Sequence, residues 1–231
     1  MGFLAIDFAI HGPKKPKTLV VTGRTQKKID MAARLYTVEE AKKNGVKLVY
    51  VNTRDIVDVN KELRKYSEKG FDDVFIFAPN EEMVTYGVKM LAFDGCLNFF
   101  SGPADQEFSS RVNFYNIHYN STHFVGTSGG NTEDMKQSIE LIENKTVNVA
   151  KIATHILGLD HAVETTKALP ELEGSKKIVY THKKFPLTEV DKFDENSDDK
   201  YIRELKSIVE RNGNLWSGEA ERYFIQNAPE I

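Results

Sequence analysis

The stretch Gly2-Phe3-Leu4-Ala5-Ile6-Asp7-Phe8-Ala9-Ile10, closed by Gly12-Pro13 and followed by Leu19-Val20-Val21-Thr22-Gly23-Arg24, decides the fold. Residues 2–10 are apolar apart from Asp7 and unbroken by a turn, so they read as a buried helix. Gly12 lets the chain leave the helix and Pro13 forbids its continuation. Leu19-Val20-Val21 then reads as a short buried strand. Helix, turn and strand open an alternation of helices and strands that continues downstream.

Gln26 to Tyr36 predicts a helix with Ile29, Ala32, Ala33 and Tyr36 on one face. Thr37-Val38-Glu39-Glu40 has the spacing of a capping box opening a further short helix. Strands are expected at Val46–Val51, Asp73–Phe77 and Gly95–Phe100, the last ending before Gly102-Pro103. Helices are expected at Val57–Lys69 and Glu81–Leu91. Each strand is a nearly continuous apolar run, not an alternation of apolar and polar residues. Such runs belong to strands covered on both faces, hence to a parallel sheet between helix layers. Right-handed crossovers then give an α/β, Rossmann-type doubly wound sheet.

Beyond Phe100 the pattern changes. Val112–Ile117 and His123–Gly126 look strand-like, and Asn131 is placed to cap a helix from about Glu133 to Ile142, with Asp134 adding charge favoured at a helix start. Ile152–Ile156 is expected to be extended. Asp160 is expected to cap a helix over His161–Leu169, and Lys177–Thr181 to form a closing strand. Asp191–Asp199 is acidic and reads as a solvated linker before two terminal helices, Tyr201–Arg211 and Gly218–Gln226.

Composition narrows the classes of function. The chain has 231 residues, 40% hydrophobic and 28% charged, with a net charge of −3. That is an ordinary globular balance. There is no basic stripe interleaved with aromatics, so no nucleic-acid partner is expected. No run of 18 apolar residues is present, so no membrane span is expected. A single cysteine, Cys96, rules out an internal disulfide. Without a recognisable secretory signal, the expected location is the cytoplasm.

The order of the segments resembles the second half of the medium-chain, zinc-type alcohol and polyol dehydrogenases. The residues that carry the resemblance are Val125-Gly126-Thr127-Ser128-Gly129-Gly130, Thr154-His155 with Leu159-Asp160, and Gly174-Ser175-Lys176-Lys177-Ile178-Val179. It covers roughly residues 2 to 185. Within that family, Asn98-Phe99-Phe100-Ser101-Gly102-Pro103, Asn116-Ile117-His118-Tyr119, Ser121-Thr122-His123 and Leu215-Trp216-Ser217 look like the L-sorbose 1-phosphate reductases and other sugar-phosphate enzymes. The resemblance implies that residues 1–150 are an incomplete dinucleotide-binding domain. Residues 151–231 would be the last part of a GroES-like catalytic domain with a helical tail.

A dinucleotide fingerprint runs strand, Gly-x-Gly-x-x-Gly, helix. Here Gly2 takes the place of its last glycine. The first strand and the earlier glycines are expected upstream, through a cloned fragment, an internal methionine taken as the start, or half of a split gene. The family's zinc ligands are expected upstream as well, so this chain is expected to bind no metal and to be inactive alone. Cys96 sits beside Leu97 in an apolar run, where a thiol is usually core packing.

The coenzyme contacts implied are Gly2, then Gly23, Arg24 and Lys28 after the Leu19–Val21 strand, and Ala78, Pro79, Ser101, Gly102, Thr127 and Ser128 in the later strand-end turns. An NAD-selective fold places Asp or Glu where Gly23 stands. A small residue followed by Arg24 leaves room and charge for a 2′-phosphate, which points to NADP, with NAD the alternative. The bland reading, an ordinary solvated turn, stays open. Catalytic residues are not assigned. His155 and His161 read as structural, whereas His118 and His123 face either a substrate phosphate or an interface. Phe114, Tyr115, Tyr119 and Phe124 form an aromatic-rich patch, and the resemblance implies that residues 112–126 are partly a homo-oligomer contact.

The function implied is hydride transfer between NADP(H) or NAD(H) and a ketose phosphate or polyol. The competing readings are a non-catalytic nucleotide-binding or structural module with a separate N-terminal partner, and some other α/β nucleotide-binding protein. The region after Phe100 disfavours the latter.

Overall fold

The computed structural model describes residues 1–194 and 196–231, in two compact units, Met1–Val147 and Asn148–Ile231.

The first unit alternates as the apolar runs dictate: α1 (Gly2–His11), β1 (Thr18–Gly23), α2 (Gln26–Leu35), α3 (Val38–Lys43), β2 (Lys47–Asn52), α4 (Val59–Leu63), β3 (Phe71–Ile76), α5 (Glu81–Lys89), β4 (Leu91–Phe99), α6 (Phe114–Tyr119), β5 (His123–Gly126) and α7 (Thr132–Glu143). All strand pairs in it are parallel. β1 pairs with β2, Leu19 opposite Leu48, and β3, β4 and β5 form a second ladder through Val74, Leu97 and Phe124. Alternation along β1 sends Leu19 and Val21 to one face, where Ile6, Ile10, Ala32, Tyr36 and Ala41 cover them. Val20 goes to the other face, with Val59 and Leu63 of α4, Met90 and Phe71. Helices therefore flank the strands on both sides, as a doubly wound sheet requires.

The strand order is that of a sheet interrupted between β1 and β3. Among the described residues each of these strands is paired along one edge only. Phe75 of β3 is 55% exposed, and its ring stacks on Phe77 at 6.2 Å.

Gly12 ends α1 for a reason other than handedness. Its φ is −63°, which any residue adopts, but a Cβ there would stand 2.5 Å from the Phe8 carbonyl oxygen. The β3–β4 ladder jumps from Phe71–Leu91 to Asp73–Cys96. The surplus of β4 loops out around Asp94, whose φ is +59°.

Three segments differ from expectation in their secondary structure. Val112–Ile117 is not strand-like: Asn113 Oδ1 accepts from the Tyr115 N–H at 3.0 Å and opens α6. The helix expected over Val57–Lys69 is confined to Val59–Leu63. The chain turns beyond it, where Arg64 Nη1 donates to the Glu68 carbonyl and Gly70 adopts φ +97°. Asp160 does not cap a helix. Residues Leu159–His161 form a 3-10 turn, and the Asp160 carboxylate accepts from the Phe185 N–H at 3.1 Å.

The second unit holds β6 (Ala153–Gly158), α8 (Ala162–Ala168), β7 (Lys176–Tyr180), β8 (Thr188–Glu189), α9 (Lys200–Arg211) and α10 (Gly218–Asn227). β6 is central, parallel to β7 and antiparallel to β8. Its core joins Ile156 and Tyr180 to Phe185, Leu205, Trp216 and Phe224. The supposed linker contributes too: Phe193 is buried in that core because its ring lies against Trp216 and Phe185. Position 195 of that linker lies outside the described residues.

Candidate functional site: the carboxyl ends of the parallel strands

In a parallel sheet the turns after each strand emerge on one edge, and ligands of such sheets bind there. The register Ile76–Phe99–Gly126 sets three of these turns side by side. They carry Ala78-Pro79, Ser101-Gly102 and Thr127-Ser128, all solvent-accessible. Gly2 joins them from α1, since a Cβ added to it would touch the Phe77 ring at 3.7 Å. Met1 gives α1 no side-chain cap, and the first turn of the helix, with the positive end of its dipole, starts at Gly2 on that edge.

Gly23 and Arg24 close β1. A Cβ at Gly23 would press on Ile29 Cγ1 at 3.2 Å, so the packing of α2 also favours glycine there. Arg24 Nη1 lies 3.4 Å from Glu82 Oε2 in the first turn of α5. The other oxygen of Glu82 accepts from the Tyr86 hydroxyl at 2.6 Å, a bond that raises the Tyr86 phenol above its ordinary 10. The ion pair thus ties the end of β1 to the helix that follows β3. Beside it lies an open cleft of about 580 Å³ lined by Asn80, Glu81, Glu82, Thr85 and Tyr86. Lys28 is exposed on the first turn of α2. Asn80 is committed to capping α5 through the Met83 N–H at 3.0 Å.

Glu82 and Tyr86 went unremarked in the sequence. Their spacing of four on a helix was a signal that they meet. Arg24 lies 58 residues from Glu82, and no local pattern announces that contact.

The histidines are engaged elsewhere. His155 is buried, with Nδ1 3.0 Å from Thr154 Oγ1, and burial holds its imidazole below the usual 6.5. His161 lies 3.1 Å from Asp160, and His123 lies 2.9 Å from Asp94. His118 packs edge-on against Tyr119. At the start of α7, Asn131 and Asp134 form a reciprocal capping box, so Asp134 serves the helix end. Among the described residues no three His, Cys, Asp or Glu side chains converge as metal ligands, and Cys96 lies half-buried in β4. The residues present do not fit a zinc site, which needs three or four such donors.

Parallel strands wound by helices on both faces, with their open turns on one edge, define a doubly wound α/β protein of the Rossmann type. The chain belongs to the zinc-binding dehydrogenase family, whose sequence pattern matches residues 18–144. It is 46% identical over its whole length to an L-sorbose 1-phosphate reductase of Klebsiella pneumoniae, of which it covers 53%. It spans about half the length of the curated relatives it matches. Its fold is similar to that of a zinc-binding dehydrogenase from Sinorhizobium meliloti bound to NADP, with TM-score 0.60 and 16% identity over 78% of this chain and 49% of that one. It is also similar to an Escherichia coli alcohol dehydrogenase complexed with NADH, with TM-score 0.57 and 12% identity over 77% of this chain and 48% of that one. No helix among the described residues is long and apolar enough to cross a membrane.

Proposed function

We propose that this chain is the coenzyme-binding part of an NADP(H)-dependent oxidoreductase that interconverts a ketose phosphate and its polyol phosphate. The observation that carries the coenzyme is Arg24 at the end of β1, with no acid at position 23. A guanidinium there supplies paired donors to a 2′-phosphate. The bound coenzyme supplies or accepts the hydride. The chain's own groups bind and orient it. The first turn of α1 faces its pyrophosphate, the turns at Ala78-Pro79, Ser101-Gly102 and Thr127-Ser128 line its nicotinamide half, and Lys28 adds charge near Arg24. The substrate class is supported by the identity to the sorbose-phosphate reductase.

In this reading residues 1–150 are dinucleotide-binding, and residues 151–231 belong to the catalytic domain. Zinc ligands and the substrate pocket lie outside these residues, and the enzyme is cytoplasmic. A second reading is favoured by the single-edge pairing of β1 and β3 and by exposed Phe75: a binding module completed by a separate strand-bearing partner.

Titration of the chain with NADPH and NADH, followed by nicotinamide fluorescence, tests the proposal. NADPH should bind more tightly, and Arg24→Ala should weaken NADPH by roughly three- to tenfold, the scale of a half-exposed charged hydrogen bond, while sparing NADH. Equal affinities, with no effect of Arg24→Ala, would refute the assignment of NADP.

A further inference from the structure

We propose that Glu82 is a specificity-setting residue that competes with a coenzyme 2′-phosphate for the Arg24 guanidinium. The inference rests on the coenzyme site placed above at the end of β1. Glu82 bridges two partners, accepting from Tyr86 through one oxygen at 2.6 Å and meeting Arg24 through the other at 3.4 Å. Tyr86 and the helix hold the carboxylate in place, and Arg24 comes to it from another strand. Glu82 and Arg24 are each about half exposed, so the pair opens to solvent and its partner can be exchanged. The cleft of about 580 Å³ lined by Glu82, Thr85 and Tyr86 lies on the same side and gives an incoming phosphate access.

Two consequences follow from charge. With Glu82 ionised, a doubly charged 2′-phosphate must displace one carboxylate from Arg24 and then sit near it, a repulsion that NAD(H) does not meet. Replacing Glu82 by Gln keeps the shape, and its amide can still meet the Tyr86 hydroxyl, but it removes both the competition and the repulsion. The position therefore moderates selection for the phosphorylated coenzyme.

The test uses the whole 231-residue chain and two small probes, adenosine 2′,5′-bisphosphate and 5′-AMP, by isothermal titration calorimetry. Glu82→Gln should tighten the bisphosphate by roughly two- to fivefold, the size of one exposed ion pair, and leave 5′-AMP unchanged. The gain should vanish in Glu82→Gln/Arg24→Ala. Glu81→Gln, which removes the same charge one residue away without touching Arg24, should produce less than half the gain. If the wild-type chain binds the bisphosphate through Arg24 and Glu82→Gln changes nothing, or Glu81→Gln matches it, the competition is overturned and the coenzyme assignment stands. If neither the wild type nor Glu82→Gln binds either nucleotide, both fall together.

Discussion

Trp216 donates its indole N–H to the Tyr180 hydroxyl at 2.7 Å, and Tyr180 donates in turn to Glu221 at 2.7 Å. Trp216 and Tyr180 are both buried in the second unit. Burial and the bond to Glu221 push the Tyr180 phenol well above its ordinary 10, so it stays a donor throughout the useful pH range. Tyr180→Phe keeps the ring among Trp216 and Phe224 but leaves the indole N–H with no acceptor. A buried donor left unpaired costs about 1–3 kcal/mol. The denaturation midpoint should fall accordingly. The loss can be followed by the emission of Trp216, the one tryptophan of the chain. A change below about 0.5 kcal/mol, the size of a neutral surface substitution, would show that the relay does not stabilise the unit.

Gly158 closes β6 where two backbones nearly touch. Its N–H donates to the Phe185 carbonyl at 2.8 Å, and the next N–H, of Leu159, donates to the Lys183 carbonyl at 3.1 Å. A Cβ on Gly158 would lie well inside contact distance of the Lys183 oxygen and the Phe185 nitrogen. Neither atom belongs to a flexible side chain, so relief requires the strand to move. Gly158→Ala should destabilise the unit by about 3 kcal/mol, the upper end for overpacking, and lower the soluble yield. A variant melting within a degree or two of the wild type would mean that the 183–185 segment yields freely.

These two sites show what could be read from sequence and what could not. The strand runs around Val20, Leu48, Val74 and Leu97 were legible because strands covered on both faces have no polar side to interrupt them. The strand-end turns followed from the same reading. α6 was not legible: Phe114, Tyr115 and Ile117 mimic an extended aromatic run, and the deciding term is one side-chain bond from Asn113. Asp160 looked like a cap by position, yet its partner is the Phe185 N–H, 25 residues away. In the candidate site Arg24 was visible and Glu82 was not, because their contact comes from the placement of β1 beside α5. Gly158 gave no local sign, since its need for glycine is set by a backbone that arrives later in the chain.

His155 makes the stability of the second unit pH-dependent. Burial, reinforced by the nearby positive charge of Lys177, lowers its folded-state value below the unfolded 6.5, against the smaller opposing pull of Glu189. The unfolded chain therefore binds the proton first as pH falls. The contribution is fully present above 6.5 and is lost as pH falls from there through the depressed folded value. Asp160 adds a similar trend further into the acid range. Desolvation opposes its ionisation, but the Phe185 N–H and His161 outweigh that and hold it below 3.8. Thermal melts from pH 8 to pH 5 should show stability declining below about 6.5. His155→Gln should flatten that limb at some cost at pH 8. An identical acid limb in the variant would remove His155 as its source.

The edge at β5 leads to a prediction about association. Among the described residues β5 is paired to β4 alone, and all four of its residues are exposed. Beside it in sequence, Phe114 of α6 is 76% exposed, and the exposed rings of Tyr115 and Tyr119 lie 4.5 Å apart, tilted by 40°. An open strand edge bearing apolar side chains pairs readily with a second edge, and two copies of one edge satisfy each other about a two-fold axis. The chain should therefore run as a dimer in size-exclusion chromatography with light scattering at micromolar concentration. Val125→Lys, a charge placed on that edge, should shift it to monomer without changing its circular dichroism spectrum. A wild type that is monomeric throughout, or a Val125→Lys variant that stays dimeric, would rule out residues 112–126 as the contact.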